Sequence, residues 1–180
     1  MVGLVRSLSH DAELCHEPLL DEPLVVAMGP SNALAARAQI QLADLASQDF
    51  ILYRGQSQVS VADQIVNACH EAGFSPRIVQ ETDDMQSAAA LAVLGVGITL
   101  VASSLQQLGL PELVCRPVLA GTAPLTIRLY AVYRRNDTSP ELAAFLQLAR
   151  NMCHAPDAGQ TYARPAENNA TVSRPGSPPR

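Results

Sequence analysis

Short strand-like runs that alternate with helix-like segments most constrain how this chain can fold. Val2–Val5, Pro23–Met28 and Phe50–Tyr53 are apolar runs of strand length. Val61–Ala72 repeats apolar residues at helical spacing, and Gly73 stands where glycine commonly ends a helix. Strands that alternate with helices of about ten residues are typical of βαβ units. The pattern therefore predicts an α/β fold built on a largely parallel sheet.

The alternation continues through the second half of the chain. Arg77–Glu81 predicts a strand, and Thr82 or Asp83 can cap a helix over Met85–Leu94. Ser103 or Ser104 can cap one further helical turn. The remaining predicted elements are one or two short helices within Leu34–Ala46, strands at Ile98–Val101, Leu113–Cys115 and Leu125–Tyr133, and a last helix that begins at Ser139-Pro140-Glu141.

Composition excludes several classes of protein. An apolar share of 48% in 180 residues indicates a folded core and excludes a disordered chain. A net charge of −5 argues against a free-standing nucleic-acid binder, which carries a basic stripe. Residues 155–180 contain five prolines and almost no large apolar residue, so we predict a disordered tail there.

Motifs for catalysis and cofactors are incomplete in this sequence. Gly55–Val59 resembles half of a nucleophile elbow but lacks its second glycine. Gly95-Val96-Gly97 follows a predicted helix, whereas a pyrophosphate loop precedes one. Three Cys-His neighbours point to different faces and lack metal-ligand spacing. The sequence therefore indicates no enzyme, no cofactor and no metal site.

Three polar loops follow predicted strands and suggest a small-molecule site. They are Tyr53–Ser57, Thr82–Asp84 and Ala102–Ser104. In open α/β sheets, ligands bind beyond the carboxyl ends of the strands. Helix N-termini and Arg54 would favour a carboxylate on the ligand. Ordinary helix caps are the alternative explanation of these loops.

An ordered series of segments resembles the effector-binding domain of LysR-type transcriptional regulators. The series begins with EPLVVAM at residues 22–28 and DFILY at 49–53. It is most specific at AALAVLGVGITLV, residues 89–101, and ends with SPELAAFL at 139–146. The resemblance covers about residues 2–150 and points to the branch that regulates aromatic-compound catabolism. Ala102 departs from it, because the family usually has proline at that position.

The resemblance implies a two-lobed fold of the periplasmic-binding-protein-like type 2, with the second lobe complete and the first partial. Residues 1–20 would belong to the partial first lobe and residues 21–108 to the second lobe. Residues 109–154 would return to the first lobe, before the tail at 155–180. With the first lobe incomplete, Val2–Val5 and Leu125–Tyr133 are expected to lack neighbouring strands.

The resemblance also implies partners. The effector is expected to be a small molecule, such as an aromatic acid or a dicarboxylate, and the parent protein a cytoplasmic homodimer or tetramer that does not contact membranes. DNA would be bound only through an amino-terminal helix-turn-helix that this chain lacks. The alternative is a solute-binding protein of a transport system with a truncated start. The predicted ligand-binding residues are Tyr53, Arg54, Gln56, Ser57, Thr82, Asp83 and Ser103.

Overall fold

One long strand, β2 (Leu14–Met28), runs through both parts of the fold. The computed structural model of the protein describes residues 1–6, 8–9, 11–54 and 60–153. The first part of β2 pairs antiparallel with β9 (Thr126–Arg134), which also pairs antiparallel with β1 (Val2–Val5). These three segments form the smaller sheet. The last residues of β2 lie between β6 (Thr99–Ala102) and β7 (Val114–Ala120), antiparallel to both.

The larger sheet is completed by shorter strands on both sides of β2. β4 (Asp49–Tyr53) and β5 (Arg77–Thr82) pair in parallel. A parallel bridge between Phe50 and Ile98 joins β4 to the residues before β6. On the other side, β7 pairs in parallel with β3 (Ile40–Gln41) and antiparallel with β8 (Ala123–Pro124). The strand order of the larger sheet is therefore β5-β4-β6-β2-β7-β3.

The prediction of a largely parallel sheet was wrong. β2 is antiparallel to each of its three partners, and parallel pairing is confined to β3, β4, β5 and their neighbours. The prediction located only Pro23–Met28, because polar residues interrupt the apolar pattern earlier in β2. The segment Leu125–Tyr133, expected to lack neighbours, lies between β1 and β2 instead.

Three α-helices lie close to their predicted bounds: α1 (Val61–Glu71), α2 (Met85–Val93) and α3 (Pro140–Cys153). Asp84 caps α2 by accepting a hydrogen bond of 2.8 Å from the Ser87 amide, so the expected cap by Thr82 or Asp83 was wrong. Short 3-10 helices occupy Ala33–Ala36, Leu42–Leu45 and Ser103–Leu108.

Alternate residues of β2 supply two apolar cores on opposite faces of the larger sheet. Val26 and Met28 pack on the α1 side, together with Ile65. Val25 and Ala27 pack on the opposite side, where α2 contributes Ala89. The smaller sheet packs against α3 through a separate cluster of Leu19, Ala131, Leu142 and Leu146. The two sheets thus have their own cores and share one strand.

The lobe boundaries at residues 20, 108 and 154 stay a prediction. β7 follows residue 108 but pairs with Val25–Met28, so it lies in the larger sheet. The tail predicted at 155–180 lies outside the described residues. Within the described part of the chain, no helix combines the length and apolar character needed to cross a bilayer.

Candidate ligand-binding site

Glu22 is a buried carboxylate at the junction, the point where β2 leaves β9 and enters the larger sheet. It is only 6% exposed. A buried carboxylate is destabilising unless it is paired and hydrogen-bonded. The Ser104 amide donates to Oε1 of Glu22 at 2.5 Å, and the Ser103 hydroxyl donates to the same oxygen at 3.3 Å. Arg6 forms an ion pair with the other oxygen.

Arg6 brings a cation from the smaller sheet to this carboxylate. It follows β1 directly, and its own carbonyl accepts a hydrogen bond of 3.1 Å from Gln64 of α1. Its Nη2 is bonded to Glu22, whereas its Nη1 is buried without a hydrogen-bond partner among the described residues. An unsatisfied buried donor is destabilising, and a bound acceptor would remove that penalty. The junction therefore presents an unused guanidinium donor.

The charges at the junction are set by burial and hydrogen bonding together. Burial by itself raises the pKa of Glu22, but the hydrogen bonds from Ser104 and the charge of Arg6 outweigh it, so that the pKa lies below its ordinary value of 4.5. Glu22 is therefore ionised at neutral pH and balances the charge of Arg6.

Tyr53 contributes a neutral hydroxyl to the same region. It ends β4 and packs against apolar residues on both faces of the larger sheet. The pKa of Tyr53 is raised to about 12, mainly by burial. The charge of Arg6 lowers this pKa and the charge of Glu22 raises it, both to smaller extents. Because the hydroxyl stays protonated at physiological pH, it can donate a hydrogen bond to a ligand.

Arg54, which was predicted to bind a carboxylate of the ligand, already forms an ion pair within the protein. Its Nε and Nη2 each donate a hydrogen bond of 2.8 Å to Glu81, which forms a bidentate ion pair on the surface. Both side chains are largely exposed, so solvent screens the pair. The ligand-binding role of Arg54 remains a prediction, and its charge is balanced without a ligand.

The other predicted residues divide into three groups. Ser103 lies at Glu22. The prediction that Ser103 or Ser104 caps a helical turn was wrong, because the N-cap residue of the 3-10 helix Ser103–Leu108 is Ala102, which has no side-chain capping hydrogen bond. Thr82 donates to the carbonyl of Asp84 at 2.9 Å, and Asp83 is exposed beside it. Gln56 and Ser57 lie outside the described residues. The ligand-binding roles of all five of these residues remain predictions.

The two charged residues of this site, Arg6 and Glu22, were not among the predicted ones, and Ser104 was predicted only as part of the loop Ala102–Ser104. Arg6, Glu22 and Ser104 lie in three separate segments that only the folded chain brings together. The one available signal was a carboxylate, Glu22, directly before the apolar run Pro23–Met28. Charged residues at strand ends are usually solvated, so that signal was weak.

Comparison with known proteins identifies the family. The family model described as LysR substrate binding domain matches residues 2–154. The chain therefore belongs to the LysR substrate-binding domain family, as the sequence resemblance predicted. Its fold is that of these effector-binding domains, the two-lobed periplasmic-binding-protein-like type 2 class.

Two similar proteins from Pseudomonas putida are named as regulators. The chain is 25% identical to the HTH-type transcriptional regulator ClcR over 147 residues, which is 82% of this chain and 49% of ClcR. It is 36% identical to the HTH-type transcriptional regulator CatR over 98 residues, which is 54% of this chain and 32% of CatR. The matched part of the chain thus spans about half the length of ClcR and about a third of the length of CatR.

Solved structures agree with this assignment. The effector-binding domain of a BenM variant superimposes with a TM-score of 0.76 at 25% identity, over 84% of this chain and 70% of that one. CbnR, a LysR family transcriptional regulator, gives a TM-score of 0.75 at 22% identity, over 86% of this chain and 53% of that one. These relatives are transcriptional regulators, not enzymes, and they give no support to the alternative of a transport protein.

Proposed function

We propose that this chain is the effector-sensing module of a LysR-type transcriptional regulator and that it binds a small organic anion at the junction. The observation that carries the proposal is the buried Nη1 of Arg6, which lacks a hydrogen-bond partner among the described residues. Because the other arm of the guanidinium is bonded to Glu22, a ligand carboxylate could take the free arm without breaking that ion pair.

The surroundings of Arg6 favour an aromatic acid or a dicarboxylate. Tyr53 offers a protonated hydroxyl and an apolar ring beside the charged pair. Ser103 offers a second hydroxyl at Glu22. The same chemistry is consistent with the solved complex described as the BenM effector-binding domain with its effector benzoate. For this chain, an anionic head and an unsaturated or apolar body are the properties we propose.

The position of the site suggests how binding could be transmitted. Arg6 directly follows β1 of the smaller sheet, whereas Tyr53 ends β4 and Ser103 directly follows β6, both strands of the larger sheet. A ligand that contacts residues of both sheets favours one relative arrangement of them. In the complete regulator, this shift would act on a homodimer or tetramer whose amino-terminal helix-turn-helix binds DNA. A regulator that works on DNA implies a cytoplasmic location.

Isothermal titration calorimetry of the 180-residue protein tests the proposal. We expect benzoate or the dicarboxylate fumarate to bind, and the neutral analogue benzamide to bind at least about tenfold more weakly, because it lacks the charge that Arg6 would meet. The R6Q variant should bind the carboxylates more weakly than the wild type by about the same factor. R150Q is the matched control, since it removes one arginine charge from the pair that Arg150 of α3 forms with Glu17. Equal affinity of the wild type, R6Q and benzamide complexes would contradict the proposal.

A further inference from the structure

A second groove lies away from the junction, along the edge of β7 that is opposite β2. β3 pairs with β7 only at Val118 and Leu119, so among the described residues no strand pairs with that edge of the preceding residues of β7. The groove encloses about 800 Å³, which is within the range of small-molecule sites. We call it the edge groove. Its principal lining residues are Arg37, Leu110, Leu113, Cys115, Arg116 and Pro117.

Arg116 supplies an uncompensated charge to the edge groove. Its Nε donates to the carbonyl of Ala35 at 3.1 Å, and its Nη1 donates to the carbonyl of Cys115 at 3.0 Å. These dipoles hold the guanidinium in place but do not neutralise it. Within the described residues, no carboxylate lies at ion-pair distance from Arg116, whereas Arg37 across the groove is paired with Asp44 at 2.6 Å. Arg116 therefore provides a fixed, half-buried cation.

The remaining walls are apolar. Leu110 and Leu113 pack with Cys115 at the margin of the cluster on the α2 side of the sheet. Burial raises the pKa of the Cys115 thiol to about 11, so at neutral pH the thiol is an uncharged part of that wall. Pro117 lines the groove with an apolar ring and has no amide hydrogen to donate. A fixed cation beside apolar walls is complementary to a carboxylate with an apolar body.

We propose that the edge groove is a second binding site, for a small monocarboxylate with a flat apolar body, independent of the site at the junction. The carboxylate would meet the guanidinium of Arg116, and the body would lie against Leu110, Leu113 and Pro117. No residue around Glu22 lines this groove, so binding here does not require Arg6. The failure of one site would leave the other intact.

Amide chemical shifts in two-dimensional NMR separate the two sites. Benzoate is expected to shift the amides of Leu110, Leu113 and Cys115 in the wild-type protein and equally in R6Q. R116Q should weaken that response at least about tenfold, and benzamide should be weaker by a similar factor. Shifts confined to residues around Glu22, or an undiminished response of the groove in R116Q, would overturn the proposal.

A second measurement covers the case in which R116Q does not fold. Over prolonged exposure to iodoacetamide, saturating benzoate should slow the already slow alkylation of Cys115 a further several-fold in the wild-type protein, because the ligand covers that wall. Cys153 on α3 serves as the internal reference, since it packs against the smaller sheet. Unchanged alkylation of Cys115 under saturating benzoate would count against the edge groove as a binding site.

Discussion

Asp21 and Arg128 face each other on β2 and β9 and are joined by two hydrogen bonds of 2.5 and 2.7 Å. Both side chains are about half exposed. Glu22, the next residue along β2, points to the opposite face and is buried. Two consecutive carboxylates at the junction therefore form ion pairs in contrasting environments, which makes one a natural control for the other.

Replacement of Glu22 by alanine should destabilise the fold strongly. E22A leaves the Arg6 charge without its partner and the Ser104 amide without its acceptor in a buried region. We expect the free energy of unfolding in urea to fall by about 3 kcal/mol. D21A, which removes a screened surface pair, should lower it by about 1 kcal/mol or less. Equal losses for the two variants would show that burial of Glu22 is energetically unimportant.

The stability of the protein should decrease in acid, partly through Glu22. The folded pKa of this carboxyl lies below 4.5 because of Ser104 and Arg6, despite the opposing effect of burial. Below pH 4.5 the unfolded chain therefore binds the proton more readily than the folded one, and stability is lost as pH falls through the folded pKa. In urea titrations, E22Q should show a shallower loss of stability between about pH 5 and pH 3, which is roughly the range in which carboxyl groups titrate. A slope identical to that of the wild type would contradict this assignment.

Gly97 should resist substitution because of a close backbone approach. A Cβ at this position would lie 2.6 Å from the carbonyl oxygen of Asp49, where β4 meets the residues before β6. We expect G97A to reduce the free energy of unfolding by about 3 kcal/mol, since backbone must move. G73A is the matched control: its φ of 90° is unfavourable for alanine, but the space is open, so a loss of about 1 kcal/mol is expected. The order of the two losses is the decisive result in thermal or urea denaturation.

Two cysteines should react slowly with alkylating reagents in the folded protein. Burial raises the pKa of the thiols of Cys69 and Cys115 to about 11, so little thiolate is present at pH 8. Peptide mapping by mass spectrometry after brief exposure to iodoacetamide should find both largely unmodified. In denaturant both should react at the rate of an ordinary cysteine. Rapid modification of Cys69 in the folded state would contradict its placement within the core.

Local elements could be predicted because each has a signal within a few residues. The apolar spacing of α1, Pro140 at the start of α3 and the glycines after α1 and α2 all mark elements that the structure contains. The direction of pairing carries no such local signal. β2 contains His16, Glu17 and Asp21, so its length and its antiparallel partners are set by contacts with distant strands.

The candidate site was predicted in part for the same reason. Tyr53 ends a strand and Ser103 follows one, at the positions where α/β sheets commonly form sites, and both lie near Glu22. Arg6 and Glu22 are separated from them by long stretches of chain, and a single sequence does not report which charges become buried together. Arg54 was the obvious cation in the sequence, yet the folded chain pairs it with Glu81 on the surface.

The continuity of β2 ties the alignment of one sheet to that of the other. Its first residues are in register with β9, and its last residues are in register with β6 and β7. A slip of one residue would turn Leu19 away from α3 at one end and exchange Val25 and Val26 between the two faces at the other. The irregularity in pairing between Pro18 and Leu20 is the point at which such an error could be absorbed. Apart from that irregularity, correct register in one sheet therefore favours correct register in the other.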